Sequence, residues 1–145
     1  MNFVKSRFRL KDVSLYFACA TILLFMAAAI IYPLTGANEF NPVISSQLVA
    51  MLYVGAGVEV VSLFAPYKEV RAIGFFLALY DLIIYAGTQG NYIANLLRAI
   101  DNHAPSASLI SMMIVLIAAL LCSLVSVIAL SEKKAGNVNP APKGE

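Results

Sequence analysis

The sequence predicts an all-α integral membrane protein, a four-helix bundle with antiparallel up-down connectivity, short loops and both termini in the cytoplasm. Hydrophobic residues make up 61% of the 145 residues and charged residues only 12%, whereas soluble domains carry roughly a quarter charged residues. Four apolar stretches approach or exceed the ~20 residues that cross a bilayer core. The basic residues, finally, are concentrated in the loops on one side of such a bundle.

The four predicted spans account for nearly the whole chain. They cover residues 14–34, 44–65, 72–97 and 107–131. They form a single domain, residues 1–131, followed by a polar cytoplasmic tail, residues 132–145, that we expect to be disordered. No room remains for a soluble catalytic module, and the sequence has no phosphate loop, nucleophile elbow or HExxH motif. We therefore expect neither an enzyme nor a cofactor.

The basic residues predict the orientation of the bundle. Nine of them lie before the first span, between the second and third, or after the fourth: Lys5, Arg7, Arg9, Lys11, Lys68, Arg71, Lys133, Lys134 and Lys143. The other two loops contain only Arg98. This asymmetry places both termini in the cytoplasm, for a protein of the plasma or inner membrane. The net charge of +2 thus reflects topology and gives no indication of nucleic-acid binding.

The first span is expected to be a retained membrane helix. Its apolar region runs about 20 residues, longer than the ~7–15-residue core of a signal peptide. Asp12 or Ser14 is the predicted helix cap. Pro33 is predicted to end the helix, because proline disfavours its continuation.

The second span carries the first of two acids in apolar surroundings, Glu59. It is predicted to begin near Asn41-Pro42. On the helical face of Glu59, Gly55 is expected to leave space one turn outward and Ser62 to supply a hydroxyl one turn inward. The connection that follows, Pro66 to Val70, is so short that the second and third helices should be antiparallel neighbours.

The third span is too long for a simple crossing. A continuous helix over residues 72–100 would be about 44 Å long at ~1.5 Å per residue, against a core of ~30 Å. Its outer half contains the run Gly87-Thr88-Gln89-Gly90-Asn91. A helix loosened there is one alternative. Because glycine is common in membrane helices, we favour a continuous or slightly bent helix.

The third span also carries the second acid, Asp81, within a polar face. Alternating steps of four and three residues from Asp81 reach positions on one helical face, and Gln89 lies beside that face. These residues are the candidate proton, cation or ligand site: Asp81, Tyr85, Thr88, Gln89, Tyr92 and Asn95. Such a stripe should face other helices, a cavity or a second subunit instead of lipid. Glu59, on the second helix, completes the predicted site.

The two acids are the main indication of function. A carboxylate in hydrocarbon needs a partner, a proton, a cation or water, and the predicted spans contain no Lys or Arg to neutralise it. Helical rise places Glu59 and Asp81 about 10 and 15 Å into the membrane. If they converge, they would share a proton that a cation could displace, with Tyr85 and Thr88 as further oxygen ligands for sodium. Alternatively, each acid only forms interhelical hydrogen bonds.

The fourth span and the remaining polar residues indicate packing more than chemistry. Small residues share one face of the fourth span, as at close helix contacts: Ser111, Ala118, Cys122, Ser126 and Ala129. Cys19 and Cys122 are expected to be packing residues and His103 a solvated loop residue, so no metal site is predicted. We find no internal repeat convincing enough to argue for inverted symmetry.

The predicted function is a proton- or cation-coupled carrier, or the membrane subunit of a transporter, that uses Asp81 and Glu59. The alternative is a structural or accessory subunit of a larger membrane complex, with the acids in interhelical hydrogen bonds. A membrane-embedded lipid or quinone enzyme lacks the expected nucleophile, base and metal ligands. Besides the bilayer, we expect a homo-oligomer or a larger membrane complex. The general plan resembles that of small multidrug transporters, but their first-span acid is missing here and this chain is longer, so no family is assigned.

Overall fold

The computed structural model describes residues 13–35, 43–65, 67–98 and 106–138, without the side chains of residues 96 and 132–138. These residues form five helices: α1 (Val13–Thr35), α2 (Ser46–Phe64), α3 (Lys68–Thr88), α4 (Gly90–Leu97) and α5 (Ala107–Val138). No strand occurs within the described ranges, so the all-α prediction is confirmed there. Four helices are long and apolar enough to cross a membrane, namely α1, α2, α3 and the part of α5 up to Ser131.

The four long helices form a ring in which each packs against two others. Helix α1 packs against α2 and α5, and α3 packs against the same two helices, while α4 continues from the end of α3. Within the described residues, the diagonal pairs, α1 with α3 and α2 with α5, have no close backbone packing. Membrane sidedness and the up-down connectivity remain predictions.

The outward faces of the bundle are apolar. No more than a third of each spanning segment is buried, and large apolar side chains cover the outside, among them Leu23, Ile30, Phe76 and Ile114. The interior is filled by Phe25, Tyr32, Leu48, Leu52, Tyr85, Met112 and Leu116. An apolar exterior on helices of this length is what a bilayer requires of a polytopic protein.

The ends of α1 and α2 differ in part from expectation. Ser14 lies inside α1, and its hydroxyl donates to the Ser126 carbonyl instead of capping the helix; Asp12 lies outside the described residues. Helix α1 continues past Pro33 to Thr35, because a proline near the end removes one hydrogen bond without preventing a last turn. Helix α2 begins at Ser46 with Ser45 as its cap, and Asn41-Pro42 lie outside the described residues.

The third span, favoured as continuous or slightly bent, is divided at Gln89 into α3 and α4. The Gln89 amide still donates to the Tyr85 carbonyl, and its carbonyl accepts from the Ile93 amide, so the helical hydrogen bonding passes through this residue. The end of the fourth span differs from expectation. Helix α5 continues to Val138, so residues 132–138 of the expected disordered tail are helical, whereas residues 139–145 lie outside the described part. At ~1.5 Å per residue α5 is about 48 Å long, which exceeds the ~30 Å bilayer core.

Candidate proton or cation site

The Glu59 carboxyl lies in the interior of the bundle with its oxygens hydrogen-bonded. Glu59 is fully buried. Its Oε1 accepts a hydrogen bond from Ser123 on α5 at 3.0 Å, and its Oε2 is 3.2 Å from the Ser62 hydroxyl. The Ser62 hydroxyl lies closer, 2.7 Å, to the Glu59 carbonyl, and it has only one proton to donate. The Ser62 proton is therefore shared between the backbone carbonyl and Oε2.

Glycine residues determine where the Glu59 side chain lies. A Cβ atom at Gly74 of α3 would overlap the Glu59 carboxyl, so only glycine allows the carboxyl to lie between α2 and α3. The space expected at Gly55 is not free, because the Phe25 ring fills it, with Cζ 3.0 Å from where a Cβ would be. The expected hydroxyl at Ser62 is present and contacts the carboxyl.

Arg71 is a buried cation that the hydropathy pattern assigned to a loop. Helix α3 begins at Lys68, so Arg71 lies in its first turn, with only 3% of its surface exposed. Its Nη1 donates to the Ser14 carbonyl at 3.1 Å and to the Ser126 hydroxyl at 3.0 Å. It also attracts the Glu59 carboxylate electrostatically. The expectation that no cation faces the acids from within a helix is therefore wrong.

These groups form two neighbouring hydrogen-bonded sets, which together we call the polar cluster: Ser14, Arg71 and Ser126 in one, and Glu59, Ser62 and Ser123 in the other. Its hydrogen bonds cross both diagonals of the ring. Ser123 of α5 donates to Glu59 of α2, and Arg71 of α3 donates to Ser14 of α1. Through Ser123 and Ser126, one turn apart on α5, these two sets include residues of all four long helices. Buried polar contacts of this kind are costly to leave unmade in an apolar interior.

Asp81 is fully buried but is surrounded differently. Neither carboxyl oxygen has a hydrogen-bond partner among the described residues. Its neighbours one turn away on α3, Ala78 and Tyr85, are also buried. Isolated burial of this kind is very costly for a charged carboxylate and much less costly for a neutral acid.

The two acids do not share a proton through a direct hydrogen bond. The Glu59 carboxyl contacts Gly74, which lies seven residues before Asp81, or about 10 Å along α3 by helical rise. No other described acid, His or Cys joins them in a group that could hold a metal ion. The structure thus places both acids in the interior but at different levels of the bundle.

The other residues of the predicted polar face that the structure describes form no hydrogen bond with the Asp81 carboxyl. Tyr85, Gln89 and Tyr92 are buried, whereas Thr88 and Asn95 are partly exposed. The Thr88 hydroxyl donates to the Tyr85 carbonyl of its own helix at 2.8 Å. The Tyr92 hydroxyl accepts a hydrogen bond from the Ser106 amide at 2.8 Å. Gln89 lies at the interruption between α3 and α4.

Two tyrosines close the interior on the side of Asp81 away from the polar cluster. The rings of Tyr32 and Tyr85 make an edge-to-face contact with centroids 5.9 Å apart. The Tyr32 hydroxyl accepts a hydrogen bond from the Ser45 amide at 3.0 Å. We call this end of the bundle, where Tyr32 and Tyr92 contact the starts of α2 and α5, the tyrosine end.

Several of these residues escaped the sequence analysis. Counting backwards from Asp81 in steps of three and four passes through Ala78 and Gly74 to Arg71, so the same helical periodicity contained the signal for Arg71. The small-residue face proposed for α5 included Ser126 but missed Ser123. That face is not a single contact surface, because Ser111 is exposed while Ser126 is buried. Cys19 and Cys122 are free thiols, both partly exposed.

Known proteins provide no further assignment: no family model, curated protein or solved structure matches this chain.

Proposed function

We propose that this protein is a proton-coupled membrane carrier, or the membrane subunit of one, in which Asp81 takes up and releases the proton. The observation that carries the proposal is the complete burial of Asp81 with neither oxygen in a hydrogen bond to a described residue. An ionisable group inside a membrane bundle is costly to keep there and is commonly part of an ion or proton pathway.

The surroundings of Asp81 favour a proton over sodium as the exchanged species. A hard cation needs about six oxygen ligands around it. One of the two predicted hydroxyl ligands on the same helix, that of Thr88, donates to a backbone carbonyl instead. A neutral, protonated Asp81 needs no such ligand cage, and loss of its proton becomes favourable only when water or a cationic solute reaches it.

Glu59 has a different role in this proposal. Its carboxyl is bonded to two serines and attracted by Arg71, so it holds helices together instead of exchanging protons. The alternative role anticipated for both acids, interhelical hydrogen bonding, therefore suits Glu59 alone.

The experiment measures proton movement into liposomes that contain the full chain, with any subunit that copurifies and an entrapped pH-sensitive dye. Asp81→Asn keeps the side-chain shape but cannot exchange a proton, and we expect it to lower the proton flux at least tenfold. Glu69→Gln is the matched control, since Glu69 is an exposed acid on the same helix, and its flux should equal that of the unchanged protein.

A second candidate function is a structural subunit, favoured by the way in which the polar cluster joins all four long helices. It predicts the opposite result. The flux of the unchanged protein would equal that of empty liposomes, and Glu59→Gln would release the chain from a larger complex. A normal proton flux in Asp81→Asn would rule out the carrier proposal.

A further inference from the structure

The inward face of α1 recurs sixty residues later in α3 and α4. Seven residues of α1 are buried, and six of them have a buried counterpart at that spacing, the exception being Ala28. Three of the pairs are chemically alike: Ala18 and Ala78, Phe25 and Tyr85, and Tyr32 and Tyr92. Helical periodicity alone would explain the spacing, but it would not explain the matching residue types.

The start of the next helix recurs as well, with the same hydrogen bonds. The Tyr32 hydroxyl accepts from the Ser45 amide, and the Tyr92 hydroxyl accepts from the Ser106 amide. Each serine then accepts, at 3.3 Å, a hydrogen bond from the amide of a leucine three residues on, Leu48 or Leu109. Such equivalent caps indicate two copies of one helical hairpin.

The packing of the helices has the same symmetry. One hairpin consists of α1 and α2, the other of α3, α4 and α5. Exchanging α1 with α3 and α2 with α5 leaves the ring of helix neighbours unchanged. The Glu59 carboxyl lies between two equivalent serines, Ser62 and Ser123, which are sixty-one residues apart. Glu59 therefore lies close to the pseudo-two-fold axis that relates the hairpins.

The contacts between the two hairpins differ in kind at the two ends of the bundle. At the level of the polar cluster, Ser14, Glu59, Arg71 and the serines of α5 connect them by buried hydrogen bonds. At the tyrosine end, the hydroxyls of Tyr32 and Tyr92 bond within their own hairpins. Among the described residues, the edge of the Tyr32 ring meets Tyr85 there within the apolar core. On the exposed surface, the Gln47 amide of α2 donates to the Tyr80 hydroxyl of α3 at 2.9 Å.

We propose that the two hairpins are repeats that rock as units about the polar cluster, so that the tyrosine end opens and uncovers Asp81. Rigid repeats that move against each other around a site are a common mechanism of alternating access. Opening would separate Tyr32 from Tyr85 and admit water to the unpartnered carboxyl. The role of this movement in proton exchange rests on the proposed function, whereas the movement itself can be measured without a transport assay.

The test uses spin-label distances in the full-length protein, with Cys19 and Cys122 replaced by alanine. Three label pairs, all at exposed positions, report on successive levels across the hairpins: Val13→Cys with Ile73→Cys at the polar cluster, Leu23→Cys with Ile83→Cys midway, and Leu34→Cys with Leu97→Cys at the tyrosine end. Because these side chains point outward, the labels should not disturb the interior.

Rocking predicts a graded result in lipid bilayers. The pair at the polar cluster should give one distance, the middle pair a broadened one, and the pair at the tyrosine end two resolved distances. A single distance at all three levels, or the largest spread at the polar cluster, would overturn the proposal. Proton flux is measured separately: two distances with no effect of Asp81→Asn on flux would leave the rocking intact and refute the carrier, and the reverse combination would refute the rocking alone.

Discussion

Residue 74 is a glycine, and the Glu59 carboxyl occupies the place where a Cβ atom would lie. The absence of a side chain at Gly74 therefore allows the close contact between α2 and α3. Gly74→Ala should therefore displace the carboxyl and lower the free energy of unfolding by about 1–3 kcal/mol, as overpacking does in a filled interior. The measurement is denaturant unfolding in detergent. Gly57→Ala is the matched control, since nothing lies within 4 Å of its Cβ position, and alanine there should stabilise α2 by up to about 1 kcal/mol.

Arg71 provides a second test at the level of single residues. Its guanidinium is buried and bonds to Ser14 and Ser126, so Arg71→Gln should lower stability by about 1.5–3 kcal/mol, because it removes buried hydrogen bonds from a charged donor. The same change at exposed Arg98 should stay within about 0.5 kcal/mol of zero. Equal thermal stability of the two variants would show that Arg71 does not hold the polar cluster together.

At the scale of elements, two tyrosine hydroxyls fix the starts of α2 and α5. Tyr32→Phe and Tyr92→Phe should each lower the unfolding free energy by about 1 kcal/mol, the usual net value of one hydrogen bond. Tyr53→Phe, on the exposed side of α2, should have almost no effect. If only one of the two hydroxyls mattered, the capping contacts of the two hairpins would not be equivalent in energy.

The division between α3 and α4 at Gln89 does not depend on the two neighbouring glycines. Neither Gly87 nor Gly90 has a neighbour within 4 Å of its Cβ position, and neither adopts a positive φ. Alanine at either position should therefore be tolerated and raise helix stability by about 0.5–1 kcal/mol. Unfolding measurements on Gly87→Ala and Gly90→Ala check this, and a loss of stability in either would show that the interruption requires glycine.

The sequence predicted the elements better than their mutual arrangement. Hydropathy located the first, second and fourth spanning segments to within a few residues, because lipid selects length and apolar character directly. For the third it missed the first turn and the boundary at Gln89. It placed Arg71 outside the third span, because average hydropathy ignores which way a terminal side chain points. Helix rotation, and with it the separation of Glu59 from Asp81, depends on contacts such as Gly74 with Glu59, which only packing reveals.

At the scale of the whole molecule, one of the buried pairs at which the two hairpins differ is Thr21 and Asp81. The Thr21 hydroxyl donates to the Phe17 carbonyl of its own helix at 2.8 Å, whereas neither carboxyl oxygen of Asp81 has a hydrogen-bond partner among the described residues. A threonine in place of Asp81 could bond in the same way to the carbonyl four residues earlier. The variant with threonine at both positions would be more symmetrical, but it would lack the carboxyl assigned to proton exchange.

Asp81→Thr should therefore raise the unfolding free energy by about 1–3 kcal/mol, the cost of a buried polar group without a partner, while proton flux is lost. Thr21→Asp should do the reverse and destabilise the bundle by a similar amount. Both variants are compared by unfolding in detergent and by flux in liposomes. A destabilised Asp81→Thr would mean that Asp81 contributes to the fold, which would favour the structural-subunit function.

Helix α5 is about 48 Å long at ~1.5 Å per residue, well beyond the ~30 Å that lipid covers. It carries Ser123 and Ser126 of the polar cluster and runs on to Val138. The part of α5 beyond the bilayer core would extend as a helix from the membrane surface on the side of that cluster. A small tilt of the second hairpin would produce a larger displacement at the end of this extension. A fluorophore attached near Val138 would therefore report movements that are too small to measure inside the bundle.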